Sequence, residues 1–278
     1  MNPERTDYLN ARKVWVSLRD GDSLHLVLAG CGGTGSWLAP HLARLARLLH
    51  EKFNLRVSLI FVDPDVVEAK NCYRQNFCAA EIGRSKAETL ALRYSAAWGV
   101  NILALAAPFS CQALESAARS GYGAKWVVVG CVDNTSARRD IRDFIETKDG
   151  WWLDCGNTKT AGQILLGRSP LKKGEQPLAM KSFCAWLPLP SVQHPDLLES
   201  AWEPTAPVPI QANLSCADLA LLDSQSLTIN NRVAGEAADF LFRLLVTRDL
   251  KRYACYLNLE AGSQRSLYAT DEALEKYL

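Results

Sequence analysis

Apolar and polar positions alternate in blocks along most of the chain. Residues 24–29 are a compact apolar run that ends in glycines, the pattern of a parallel strand buried on both faces. Trp37, Leu38, His41, Leu42, Leu45, Leu48 and Leu49 then recur at helical spacing, with Arg44 and Arg47 on the opposite face. A second apolar run, 57–62, ends at Asp63. Strand, glycine turn, helix and strand make a βαβ unit, whose crossover is right-handed. Continued alternation predicts helices over 85–94, 112–120 and 138–146, and strands over 101–107, 125–130 and 151–156. The first 22 residues are polar and irregular, with one short helix expected around 8–18.

The pattern changes near residue 168. Between 169 and 210 prolines recur (Pro170, Pro177, Pro188, Pro190, Pro195, Pro204, Pro207, Pro209) and periodicity is lost, which predicts a long crossing loop. A helix resumes at about 219 and runs, with a break, to 245. A strand pair near 253–259 and 266–268 closes the chain. The expectation is a single α/β domain with a Rossmann-like, doubly wound, mainly parallel sheet. Its nucleotide-binding core covers 24–167, a crossover loop 168–218, and a C-terminal helix and strands 219–278.

Composition narrows the class. The 278 residues are 48% hydrophobic and 22% charged, with a formal net charge of +1. That is an ordinary globular balance, with no overall field for nucleic acid or an anionic membrane. Basic pairs such as Arg138 and Arg139 read as solvated helix faces. The first twenty residues lack a signal-peptide pattern, and the longest apolar runs, such as 126–129, are strand-sized. Nine cysteines are scattered singly, without a Cys-x-x-Cys pair, which suits reduced thiols in a cytoplasmic protein.

The candidate chemistry begins at Gly30, Gly32, Gly33, Thr34 and Gly35. After a strand, such glycines allow a tight turn, and the following helix offers unpaired N–H groups to phosphate. NAD enzymes, flavoproteins and methyltransferases share this pattern, so alone it means a nucleotide or dinucleotide. Asp63, at the end of the second strand, stands where an acid holds ribose hydroxyls, and Asp65 follows. Asn71, Arg74 and Gln75 come next, a cluster a NAD site does not need but charge stabilisation at an α-phosphate does. Arg74 can grip phosphate oxygens in bidentate fashion. Lys86, at a helix start, adds a second cation, and Asp133, after the strand 125–130, can hold Mg²⁺ through a hard oxygen ligand. Each residue alone also suits a surface or capping role.

Four motifs, Gly-x-Gly-Gly-Thr-Gly, Asp-x-Asp-x-Val-x-x-x-Asn-x-x-Arg-Gln, Gly-x-x-Lys-Ala and Cys-x-Asp-Asn-x-x-x-Arg, occur in order over roughly 24–165. Together they resemble the adenylation domain of ThiF, MoeB and ubiquitin-activating enzymes, and are most similar to the ThiF-like proteins of PRTRC gene clusters. The resemblance implies an adenylyltransferase using ATP and Mg²⁺. Asp63 would bind ribose, Asn71, Arg74 and Lys86 would contact the phosphates, Gln75 would support the site, and Asp133 would bind the metal. The implied partner is a ubiquitin-like protein with a C-terminal glycine, whose carboxylate attacks the α-phosphate, and the implied assembly is a homodimer. No membrane or nucleic-acid partner is expected.

The same resemblance points to a cysteine in the crossover loop as acyl acceptor, and Cys216 stands there, with Cys184 as the second candidate. A buried structural cysteine is the alternative for each. ThiF and MoeB carry paired Cys-x-x-Cys motifs for zinc, so no zinc is expected here. Arg5 or Arg12 would be the N-terminal arginine that completes a partner's ATP site. Competing readings are a catalytically inactive nucleotide-binding scaffold, an adenylating enzyme acting on a small molecule, peptide or tRNA base, and a dehydrogenase.

Overall fold

The computed structural model describes residues 3–118, 123–169, 182–199 and 226–278, with the side chains of residues 3–6 excepted. Its eight strands form one sheet in the order β3-β2-β1-β4-β5-β6-β7-β8. These are β1 (Ser23–Ala29), β2 (Arg56–Val62), β3 (Ile102–Leu105), β4 (Lys125–Gly130), β5 (Trp151–Asn157), β6 (Ala161–Arg168), β7 (Arg252–Asn258) and β8 (Ser263–Tyr268). The first five pair in parallel, and β6, β7 and β8 continue the sheet antiparallel. This is the expected α/β Rossmann-like architecture, extended by an antiparallel wing.

Period-two alternation splits the strands between two cores. Leu24, Leu26 and Leu28 of β1, with Val127 and Val129 of β4, face one layer. That layer contains α2 (Gly33–Phe53), α3 (Lys86–Trp98) and the late helix Ile229–Phe242. Val27, Ala29, Trp126 and Val128 face the other, against α4 (Cys111–Ala118) and α5 (Thr135–Lys148). Strands buried on both faces explain the unbroken apolar runs. The chain leaves β1 toward β2 on one side and reaches β4 on the other, so a crevice opens above the carboxyl ends of β1 and β4.

Residues 8–18 depart from the expected helix. The helix α1 is Pro3–Asn10, and the chain after it is extended. Val14, Val16 and Leu18 are buried at every second position, and backbone bonds run from Val14 N to Leu250 O and from Val16 N to Leu244 O. Period-two burial of β-branched residues defeats the helical reading. Strand β6 was absent from the sequence expectation because Gly162 and Gly167 interrupt it. A Cβ at Gly162 would meet Val233 Cγ2 at 2.4 Å, and one at Gly167 would meet Pro188 O at 2.3 Å. Both glycines therefore mark close packing within a strand.

The proline-rich stretch also holds structure where it is described. A four-residue helix, α6 (Pro190–Gln193), and a 3-10 turn, Pro195–Leu198, each start on proline, which is favoured at a first helical position. Of the helix expected over about 219–245, residues 219–225 lie outside the described residues, and the described part holds α7 (Ile229–Phe242), followed by a π turn to Thr247. A short α8 (Asp271–Glu275) ends the chain. No helix among the described residues is long and apolar enough to cross a membrane. Cys216 lies outside the described residues.

Candidate nucleotide site

The glycine loop turns between β1 and α2. Gly30 has φ +87°, and a Cβ there would meet Cys131 O at 2.5 Å. A Cβ at Gly35 would lie 1.9 Å from Gly30 O, so the loop closes on itself only without side chains. Gly33 is constrained differently: its Cβ would sit 2.5 Å from Asn230 Oδ1, a side chain from α7. Only Gly32 has room, with Gln75 Nε2 at 3.7 Å as the nearest neighbour.

Asp63 is buried beneath this loop. Its Oδ2 accepts the Cys31 N–H at 2.6 Å and its Oδ1 accepts the Asp65 N–H at 2.8 Å. Burial raises its pKa above the usual carboxylate value, and the two backbone donors oppose that shift. Asp65 in turn pairs with Lys86 Nζ at 2.8 Å, and Lys86 N donates to Asp65 O at 3.0 Å. Lys86 is buried at the first position of α3, a helix capped by Ser85, whose Oγ accepts Glu88 N at 3.3 Å.

The block after Asp65 is shaped by Asn71. Its Oδ1 accepts Glu68 N at 2.8 Å, and its carbonyl accepts both Arg74 N (3.1 Å) and Gln75 N (2.8 Å). Asn71 therefore builds the 3-10 turn that presents Arg74 and Gln75, and it does not itself line the cleft. Asn76 fastens the turn to α2. Pro40 has no N–H to give Ser36 O, and Asn76 Nδ2 reaches that carbonyl at 3.3 Å.

These residues meet in one cleft of about 520 Å³, lined by Gly30, Gly32, Gly33, Thr34, Asp63, Asp65, Arg74, Gln75, Lys86 and Asp133 among others. Gly35 packs beneath the loop instead. Gln75 Oε1 is buried and has no hydrogen-bond partner in the described protein, an acceptor left for a ligand or water. Asp133 is exposed in the short loop between β4 and α5. A magnesium site built on one protein carboxylate and substrate phosphates fits such a position.

Three further residues enter the site to which the sequence had assigned no role there. Arg138 was expected on a solvated face. It is instead half-buried, with Nε 3.2 Å from Oδ1 of the fully buried Asp154 on β5. Its place follows from α5 being capped by Asn134, whose Oδ1 accepts Ala137 N at 2.8 Å. Burial raises the Asp154 pKa, and Arg138 opposes the shift. Asn157 and Asn230 join Thr34 in a polar knot: Asn157 Nδ2 donates to Asn230 Oδ1 at 2.6 Å and to Thr34 Oγ1 at 3.3 Å. Arg138 closes the motif Cys-x-Asp-Asn-x-x-x-Arg, which marked the arginine without giving it a role, whereas Asn230 stands 196 residues after Thr34 and leaves no local trace.

Two cysteine and arginine expectations change. Cys184 is fully buried, its thiol donates to Trp186 O at 2.6 Å, and burial pushes its pKa up, so it does not suit an acyl acceptor. Arg12 is tied to this chain's own Asp271, with Nη2 to Oδ2 at 2.7 Å, rather than held out toward a partner. The Arg5 side chain is outside the described residues.

A second cavity, of about 750 Å³, adjoins the first and shares Asp133, Arg138, Gly156 and Asn157 with it. Gly156, Gly162, Asp196, Glu199 and Arg265 are among its lining residues.

A family model described as the ThiF family matches residues 18–181. No curated protein sequence matches the chain. Among solved structures, PaaA superposes with a TM-score of 0.53 at 18% identity, over 88% of this chain and 64% of PaaA. Escherichia coli MccB with ATP gives a TM-score of 0.55 at 14% identity, over 89% of this chain and 64% of MccB. MccB with AMPCPP and MccA gives 0.51 at 14% identity, over 96% and 66%. At these identities the likeness is one of fold. The chain spans 64–66% of the length of these proteins.

Proposed function

The chain belongs to the ThiF family, and from that premise we propose that it is an ATP-dependent adenylating enzyme acting on a C-terminal carboxylate. The observation that carries the reading is the convergence of Asp63, the Asp65–Lys86 pair, Arg74 and Asp133 around one cleft. That set suits a triphosphate better than a dinucleotide, because it gathers two cations and an exposed acid beside a phosphate-binding turn. The fold neighbour MccB was solved with ATP, which supports the same nucleotide here.

In this reading the first turn of α2 offers backbone N–H groups to the phosphates and Asp63 meets the ribose. Arg74 and Lys86 face the charge that develops at the α-phosphate. Mg²⁺ would be held by Asp133 with phosphate oxygens, and when bound it neutralises charge on the leaving pyrophosphate. The substrate carboxylate is ionised at neutral pH, so no general base is needed. A carboxylate oxygen bonds to the α-phosphorus, the bond to the β-phosphate oxygen breaks, and the products are an acyl adenylate and pyrophosphate.

The substrate is a ubiquitin-like protein ending in glycine, whose tail would enter the cavity beside Asp133 that Gly156 and Gly162 help to line. Transfer to Cys216 would follow: the thiolate attacks the acyl carbon and AMP leaves. A homodimer and the narrower kinship with PRTRC-type members are parts of the same proposal. ATP–pyrophosphate exchange with candidate glycine-terminated proteins tests it. Wild-type chain exchanges, Asp133→Ala does not, and Cys216→Ala exchanges but forms no conjugate released by DTT. Full exchange by Asp133→Ala would refute the metal assignment, and a surviving conjugate in Cys216→Ala would refute the acceptor.

A further inference from the structure

Within the adenylation reading, we infer that Asn230 is a positioning residue: it holds the Arg74 backbone and the first turn of α2 in register for the nucleotide phosphates, and so couples the cleft to helix α7. Asn230 is the second residue of α7. It is fully buried, as is its neighbour Ile229 on the apolar core. A polar amide at such a position is costly unless its hydrogen bonds are met. Here both ends are used. Oδ1 accepts from Asn157 Nδ2 at 2.6 Å and from Thr34 Oγ1 at 3.4 Å, and Nδ2 donates to Arg74 O at 3.4 Å.

The orientation of the amide follows from its partners. A backbone carbonyl only accepts, so the nitrogen faces Arg74 O and the oxygen faces Asn157 and Thr34. The Arg74 carbonyl also accepts Trp37 Nε1 at 3.2 Å, so α2 and α7 together fix the backbone from which the Arg74 side chain leaves. Gly33 completes the arrangement: the space its missing Cβ leaves is taken by the Asn230 amide. One side chain of α7 thus spans the first turn of α2, the end of β5 and the turn carrying Arg74. Asparagine supplies an acceptor and a donor at this reach. Alanine supplies neither, and a hydroxyl is too short to serve both sides.

The consequence is chemical because phosphate recognition depends on placement. Backbone N–H groups at a helix start and a bidentate arginine lose their value when displaced by about 1 Å. The test titrates MgATP into wild type, Asn230→Ala and Val233→Ala. Val233 is one turn further along α7, is fully buried against Gly162, and does not line the nucleotide cleft. Asn230→Ala should weaken MgATP by about tenfold or more, the size of one buried hydrogen-bond set. Val233→Ala should lower Tm yet bind MgATP as wild type does. Should Asn230→Ala fail to fold, hydrogen exchange on wild type decides: MgATP should slow the amides in the first turn of α7. Wild-type affinity in Asn230→Ala, an equal loss in Val233→Ala, or no slowing in α7 would each overturn the inference. A wild-type chain that binds no nucleotide would instead overturn the adenylation reading beneath it.

Discussion

Replacing Arg138 by alanine should destabilise the protein in a pH-dependent way. Arg138 Nε lies 3.2 Å from Asp154 Oδ1, and Asp154 is fully buried while Arg138 is 13% exposed. At an effective dielectric of about 20, unit charges at that separation attract by about 5 kcal/mol. Desolvation offsets much of this in the intact pair, but truncating one partner strands the other, at a cost of about 3–5 kcal/mol. For a chain of this size that is a fall of about 6–20 °C in Tm. Burial already raises the Asp154 pKa, and removing Arg138 deletes the opposing charge.

A carboxyl whose folded pKa lies above its unfolded value contributes stability below the unfolded value, lost as pH rises through the folded one. The deficit of Arg138→Ala should therefore be smallest near pH 4 and grow toward pH 8. Urea unfolding of Arg138→Ala, Asp154→Asn and the double variant across that range measures it. The double variant should recover at least half of the loss at pH 8, since it buries no stranded charge. An Arg138→Ala protein within about 0.5 kcal/mol of wild type at pH 8 would refute the reasoning, because a surface arginine behaves that way. A double variant no better than the single would refute it too.

Two further outcomes follow from burial. Gly35→Ala should cost several kcal/mol and abolish nucleotide binding, because the new Cβ would lie 1.9 Å from Gly30 O; thermal melts and MgATP titration check both. Among the eight cysteines of the described residues, iodoacetamide at pH 8 should modify the exposed Cys78 first and leave Cys31, Cys155 and Cys255 protected, as burial pushes the Cys255 thiol up to about 11; mass mapping of the labelled peptides reads the order.

The parallel half of the fold was legible because its strands are buried on both faces, so Leu24–Ala29 and Lys125–Gly130 stand out as apolar runs. The site residues that follow β2 and β4, Asp63 and Asp133, were legible for the same reason. Residues 11–18 misled because Val14, Val16 and Leu18 alternate within a stretch too polar to read as a strand. Strand β6 was hidden by Gly162 and Gly167, whose purpose appears only when Val233 and Pro188 are packed against them. Arg138 looked solvated because hydropathy does not show a carboxylate on a strand beneath it. Asn230 was out of reach because its partners, Thr34, Asn157 and Arg74, are brought to it only by the closing of α7 over α2.

The central claim is cleavage of ATP between its α- and β-phosphates by a carboxylate. The direct measurement is the nucleotide product formed when the chain is incubated with MgATP and a small protein ending in glycine, with intact-mass detection on that protein. The account predicts AMP-linked protein and free pyrophosphate, both dependent on the terminal carboxylate. Release of ADP and inorganic phosphate, or no AMP adduct with a bound nicotinamide cofactor in its place, would contradict it.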